Sequence, residues 1–130
     1  MAASISVEVS AGELIDKITI LEIKLERIKD SSKLENVKRE YETLTASRDG
    51  ALETSGELNG LTAKLKAVNE RLWEIEDDIR QCERDKDFGE KFVELARAVY
   101  VTNDDRSRLK REINELLGSA LIEEKSYAAY

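Results

Sequence analysis

Residues 58–82 read LNGLTAKLKAVNERLWEIEDDIRQC, and the spacing of their apolar side chains decides the fold. Leu58, Leu61, Leu65, Val68, Leu72, Ile75, Ile79 and Cys82 follow one another at steps of 3, 4, 3, 4, 3, 4 and 3. That alternation keeps one face of an α-helix apolar along its whole length. At 1.5 Å per residue the helix spans ~40 Å.

Toward the C-terminus comes a charged turn, Glu83-Arg84-Asp85-Lys86-Asp87. Asp87 and Glu90 stand at capping-box spacing, so another helix is expected over 88–117, closed by Gly118. So short a connection makes the two helices an antiparallel hairpin. The second arm carries Phe92, Leu95, Val99, Thr102, Arg106, Leu109, Ile113 and Leu116 on one stripe. Its ends are apolar, but its middle holds a hydroxyl and a guanidinium, flanked by Tyr100, Asn103, Lys110 and Asn114. Buried without partners, such groups cost on the order of 1–3 kcal/mol each. They therefore require another helix, water or a ligand.

Toward the N-terminus, Asp49-Gly50, Ser55-Gly56 and Asn59-Gly60 mark a flexible loop over 49–60. Before it, Leu34, Val37, Tyr41 and Leu44 give a helix over about 33–48, opened by a Ser32/Glu35 capping box. The phase changes at Asp30-Ser31-Ser32, which reads as a break; a continuous, locally unwound helix is the alternative. The first helix, about 11–30, opens at Ser10 with Glu13 three residues on and carries Leu14, Ile18, Leu21, Leu25 and Ile28. Ile15, Ile20 and Ile23 widen its apolar surface, so it must touch more than one neighbour. Residues 4–9 alternate polar and apolar like a short strand, and residues 119–127 either pair with them or stay irregular.

The expected architecture is one all-α domain over residues 1–130. It is a long antiparallel helical hairpin with two N-terminal helices completing a bundle or coiled coil, and with β-like terminal segments. The bulk composition agrees: of 130 residues, 41% are apolar and 38% charged, with no proline to break a helix interior.

A net charge of −7 with bases interspersed among acids, as in Lys24-Leu25-Glu26-Arg27, opposes binding to nucleic acid or to anionic membranes. There is no 18-residue apolar run and no secretory apolar core, which makes the cytoplasm the default location. The single Cys82 lies on an apolar stripe and reads as a small buried hydrophobe. Histidine is absent, which removes His-based metal sites and Ser-His-Asp or Cys-His catalysis.

Any metal must therefore use oxygen ligands. Glu74-x-x-Asp77 and Glu112-x-x-Glu115 have the spacing of magnesium-binding pairs in all-α nucleotide pyrophosphohydrolases. In a chain with 28 acids such spacing also arises by chance. Arg27, Lys38 and Arg39 invite comparison with the dianion site of chorismate mutase, without a residue-by-residue match.

Acids flank the seam of the first hairpin arm and cations interrupt the second. The candidate site is therefore Glu70, Glu74, Asp77, Arg97, Tyr100, Asn103, Asp104, Arg106 and Lys110. In one reading these side chains form an interhelical network that fixes register, as polar seam positions do. The protein is then a helical interaction module, a homodimer or the binder of a protein partner, without a cofactor or catalysis of its own. In the alternative they bind or transform a small anionic or magnesium-bound ligand, a nucleotide or sugar nucleotide, between the arms. Trp73 beside the seam is core packing, an interface anchor or the wall of a ligand site.

Four stretches, ELIDKITILEIKLERI at 13–28, VNERLWEIEDDIRQCE at 68–83, DFGEKFVELARAVYVTND at 87–104 and INELLGSALIEEKSY at 113–127, carry a resemblance. Together they resemble a small uncharacterised bacterial family, also phage-borne, a domain of unknown function. The resemblance implies recurrent polar positions at Glu74, Asp77, Glu83, Arg97, Tyr100, Asn103, Asp104, Arg106 and Asn114. It implies no reaction.

Overall fold

The computed structural model describes residues 3–130 and contains four helices, with no strand among the described residues. They are α1 (Ala11–Arg27), α2 (Ser31–Ala51), α3 (Gly56–Asp85) and α4 (Glu90–Leu117). The protein is all-α, as its periodicity requires.

Each start has a local cause. Ser10 Oγ accepts from the Glu13 amide at 3.1 Å, as its spacing predicts. Asp30, not Ser32, caps α2, accepting from the Lys33 amide at 3.0 Å. The break between α1 and α2 is therefore real but earlier, with Ile28 already extended. Ser55 caps α3 through the Leu58 amide. The expected Asp87 cap of α4 does not form: Asp87 Oδ1 accepts from Gly89 inside the turn, and Gly89 is the N-cap.

Two helices stop the same way. Lys86 (φ 56°) and Gly118 (φ 60°) take the left-handed conformation. Their amides and those of Asp87 and Ser119 turn back onto the last free carbonyls of α3 and α4. Gly50, Gly56 and Gly60 lie within helices, so the expected twelve-residue loop contracts to residues 52–55.

α1 is the central element. It packs against α2, α3 and α4, as its broad apolar surface predicts, and α3 packs on α4 as a hairpin. Ile15, Leu58, Leu65, Leu109 and Ile113 form the buried core, with Leu52, Leu61, Val68 and Leu117 packed against it. This core sits where the hairpin is open, far from its turn. Every residue of the α3 stripe is buried or half-buried, Cys82 included. On α4, Leu116 turns outward and Leu117 takes its place.

α1 and α4 meet at Gly12. Its amide donates to Asn114 Oδ1 at 2.6 Å. A Cβ there would press on the Lys110 carbonyl and stand 2.9 Å from Asn114 Oδ1. Only glycine permits this approach.

The terminal segments do not pair. Ile5 and Val7 are exposed, and residues 119–130 are irregular, so the strand expected at 4–9 has no partner ladder. Among the described residues no helix is long and apolar enough to cross a membrane.

Gly12→Ala is expected to cost about 1–3 kcal/mol by overpacking. Gly60, mid-helix with open space around it, should tolerate alanine with a gain of up to ~1 kcal/mol. Urea unfolding of the two variants checks both signs.

Candidate functional site

The middle of the bundle is held by one carboxylate. Asp16, 1% exposed, projects from α1 between α3 and α4. It accepts from Arg106 Nε at 2.9 Å and from Arg106 Nη2, a two-pronged pair, and from Asn69 Nδ2 at 2.9 Å. Asn69 Nδ2 also reaches Thr19 Oγ1 at 2.9 Å, and that hydroxyl donates to the Asp16 carbonyl at 2.7 Å. The hydrogen bonds to Asp16 raise the Arg106 pKa further, against the opposing effect of burial. Among the described residues no buried side-chain nitrogen or oxygen lacks a partner.

A second polar cluster lies one turn along α4. Buried Lys110 donates to Glu13 of α1 at 2.7 Å and to Glu123 of the tail at 3.2 Å. Burial pulls its pKa down, but the two carboxylates outweigh that and hold it above the ordinary lysine value. Nearby, Ser119 Oγ accepts from the Ala11 amide. With Asn114 on Gly12 and Ser10 on Glu13, three first-turn amides of α1 are satisfied. Glu13 does not reach back to complete its predicted capping box; it turns to Lys110 and Lys17.

The candidate site read from the sequence is divided by this arrangement. Its acids on α3 and cations on α4 do not answer each other. Glu70 and Glu74 lie on the surface within 3.7 and 3.4 Å of Arg27 of α1. Arg106 and Lys110 also turn to α1. Arg97 is exposed and has no ion-pair partner among the described residues. Asp77, Asn103 and Arg106 share a groove with Trp73, whereas Tyr100 and Asp104 face a second cavity closed by the tail. Of the other positions implied by the resemblance, Glu83 pairs with Lys86 at the turn and Asn114 is buried. Lys38 and Arg39 stand exposed on α2, apart from the Arg27 pairs.

Asp16, Thr19 and Asn69 were not anticipated. A signal existed for Asp16: α1 is apolar on so many sides that little solvent-facing surface remains for it. The spacing within one helix does not say which distant cation will answer.

The groove holds about 480 Å³ where α1 runs out between the arms. Ile20, Leu72, Trp73 and Val99 form its walls, with Asn69, Asn103 and Arg106 at its polar end. Glu76, Asp77 and Arg80 edge it. Asp16 neutralises Arg106, and Glu76 lies 2.9 Å from Arg80, so the edge presents no excess positive charge to attract an anion. No cluster of three His, Cys, Asp or Glu side chains able to hold a metal ion forms among the described residues. The groove is thus an amphipathic trough with an indole wall.

The chain belongs to a family of unknown function, DUF6165, whose model matches residues 5–130. No curated protein and no solved structure matches it.

Asp16→Ala strands the Arg106 charge and should lower the unfolding free energy by about 3–5 kcal/mol. Asp16→Leu with Arg106→Leu should lose far less, because both charges leave together. Equal losses in the two variants would contradict the pairing. Lys110 adds a pH effect. Its folded pKa is raised, so its contribution is complete below the unfolded value of about 10.4 and fades as pH rises through the folded one. The alkaline fall in stability should therefore be shallower in Lys110→Met.

Proposed function

We propose that this protein is a helical interaction module that works as a homodimer, each copy covering the other's hairpin groove. The observation that carries this reading is the mismatch in helix length. α1 has 17 residues and α3 has 30, roughly 25 Å against 45 Å. No hydrogen bond or ion pair among the described residues joins α1 to α3 beyond Glu74. The distal hairpin is therefore a two-helix layer, its seam buried or half-buried between the two arms but its flanks uncovered. Trp73 lies half-buried at the start of that stretch, and Phe88, Val93 and Val101 are exposed further along the hairpin. Apolar surface of this kind, edged by charge, marks an interface.

The charges favour a second copy as the occupant. Asp77 and Arg80 edge the same groove three residues apart. A two-fold axis between Asp78 and Ile79, with the α3 helices antiparallel, sets Asp77 of each copy against Arg80 of the other. Asp77 has no ion-pair partner within its own chain among the described residues, and Arg80 has only an exposed i,i+4 contact with Glu76. The assembly is a coiled-coil-like four-helix layer at the hairpin tips. No nucleic-acid contact, cofactor or catalytic step belongs to this reading, and a cytoplasmic setting suits its lone buried thiol.

Sedimentation equilibrium at micromolar concentration should show dimer. Trp73→Ala should weaken association about 30-fold, the effect of removing an anchor worth ~2 kcal/mol. Asp77→Arg and Arg80→Asp should each weaken it, and the double swap should restore it. A purely monomeric wild type throughout the micromolar range sinks the proposal.

A further inference from the structure

The C-terminal segment lies along α4 without becoming a helix or strand. Every residue from 120 to 130 is exposed, Tyr130 at 79%. Its side chains reach α4 through polar contacts. Glu123 meets Lys110 at 3.2 Å, Glu124 meets Arg111 at 2.9 Å, and the Tyr130 hydroxyl donates to Asp104 at 2.6 Å. The Tyr130 ring also stands edge-on to Tyr100, with centroids 5.3 Å apart. The exposed Arg111–Glu124 pair is worth at most about 1 kcal/mol, and buried Lys110 keeps Glu13 as a partner when Glu123 leaves. With no apolar side chain buried, the segment is seated but displaceable.

The surface beneath it is unusual for this chain. In a protein of net charge −7, Arg106, Arg108, Lys110 and Arg111 put four cations into six residues of α4. Asp16 and Asp105 occupy two of them, Arg106 and Arg108. Lys110, already held by Glu13, and Arg111, already beside Glu115, each direct a further donor to the tail. Two turns back along α4, a cavity of about 840 Å³ opens between the helix and the tail, bordered by Tyr100, Asn103, Asp104 and Ser107. Its carboxylate repels phosphate, so the surface favours a peptide over a nucleic acid.

We infer that this α4 surface is a docking site for an extended acidic segment of another protein, and that the chain's own tail occupies it in cis. The tail displays the chemistry required. Two adjacent carboxylates engage Lys110 and Arg111, and a phenol six residues after the second engages Asp104 and Tyr100. The site adjoins the groove assigned to the dimer, sharing Val99 and Asn103 with it, but Lys110, Arg111, Asp104 and Tyr100, which hold the tail, lie outside that groove.

The test uses the 130-residue chain and a labelled synthetic peptide, SALIEEKSYAAY, the sequence of residues 119–130. In the wild type the tethered tail competes at an effective concentration on the order of millimolar, so the free peptide should bind poorly. In Glu123→Gln/Glu124→Gln/Tyr130→Ala the surface is released, and the peptide should bind at least about tenfold more tightly. Adding Arg111→Glu, an exposed position, should remove that binding while leaving the melting temperature unchanged. A peptide with glutamine at both acidic positions should not bind, and added salt should weaken the complex. No binding to the released variant at millimolar peptide overturns the inference. So does equal binding to wild type and released variant, or equal binding by the glutamine peptide.

Discussion

The structure depends on one buried carboxylate. Asp16 enters the bundle from α1 and receives hydrogen bonds from α3 through Asn69 and from α4 through Arg106. A carboxylate removed from water costs several kcal/mol unless it is paired and hydrogen-bonded, so three helices must meet at one register or none. Apolar stripes alone would let α1 slide along the hairpin by a turn at modest cost. The Asp16 network, with Gly12 pressed onto Lys110 one turn earlier, removes that freedom.

This fixes what is left over. α1 is anchored at its first three turns and ends at Arg27, which reaches sideways to Glu70 and Glu74. The hairpin continues, because the apolar stripe of α3 continues to Cys82. The groove beside Trp73 lies between α1, which walls it with Ile20, and the two arms. Its polar end is the network itself, already satisfied from within, and Glu76, Asp77 and Arg80 edge its apolar walls. Its charges are neutralised internally and its hydrophobic walls are half-exposed.

The tail shows the opposite balance. It buries no hydrophobic side chain and holds α4 by carboxylates and a phenol. Groove and tail surface share α4 but differ in chemistry: apolar walls dominate one and charge pairing the other.

The helices, their order, the hairpin and the buried thiol were legible in the sequence, because helical periodicity and capping are encoded within three or four residues. The wide face of α1 correctly required several neighbours. The paired-arm site was not legible. The acids of α3 and the cations of α4 were complementary on paper, yet both turn to α1: Asp16 meets Arg106 across 90 residues of sequence, and Arg27 meets Glu74 across 47. The apparent strand at 4–9 stayed unpaired for the same kind of reason, since alternation sets a preference and only a neighbouring strand makes a ladder. By itself, then, the sequence determined which residues are helical and which faces are apolar. The tertiary structure alone decided which charges meet. That choice rests on how closely α1 can approach α4, and the missing side chain of Gly12 permits the approach.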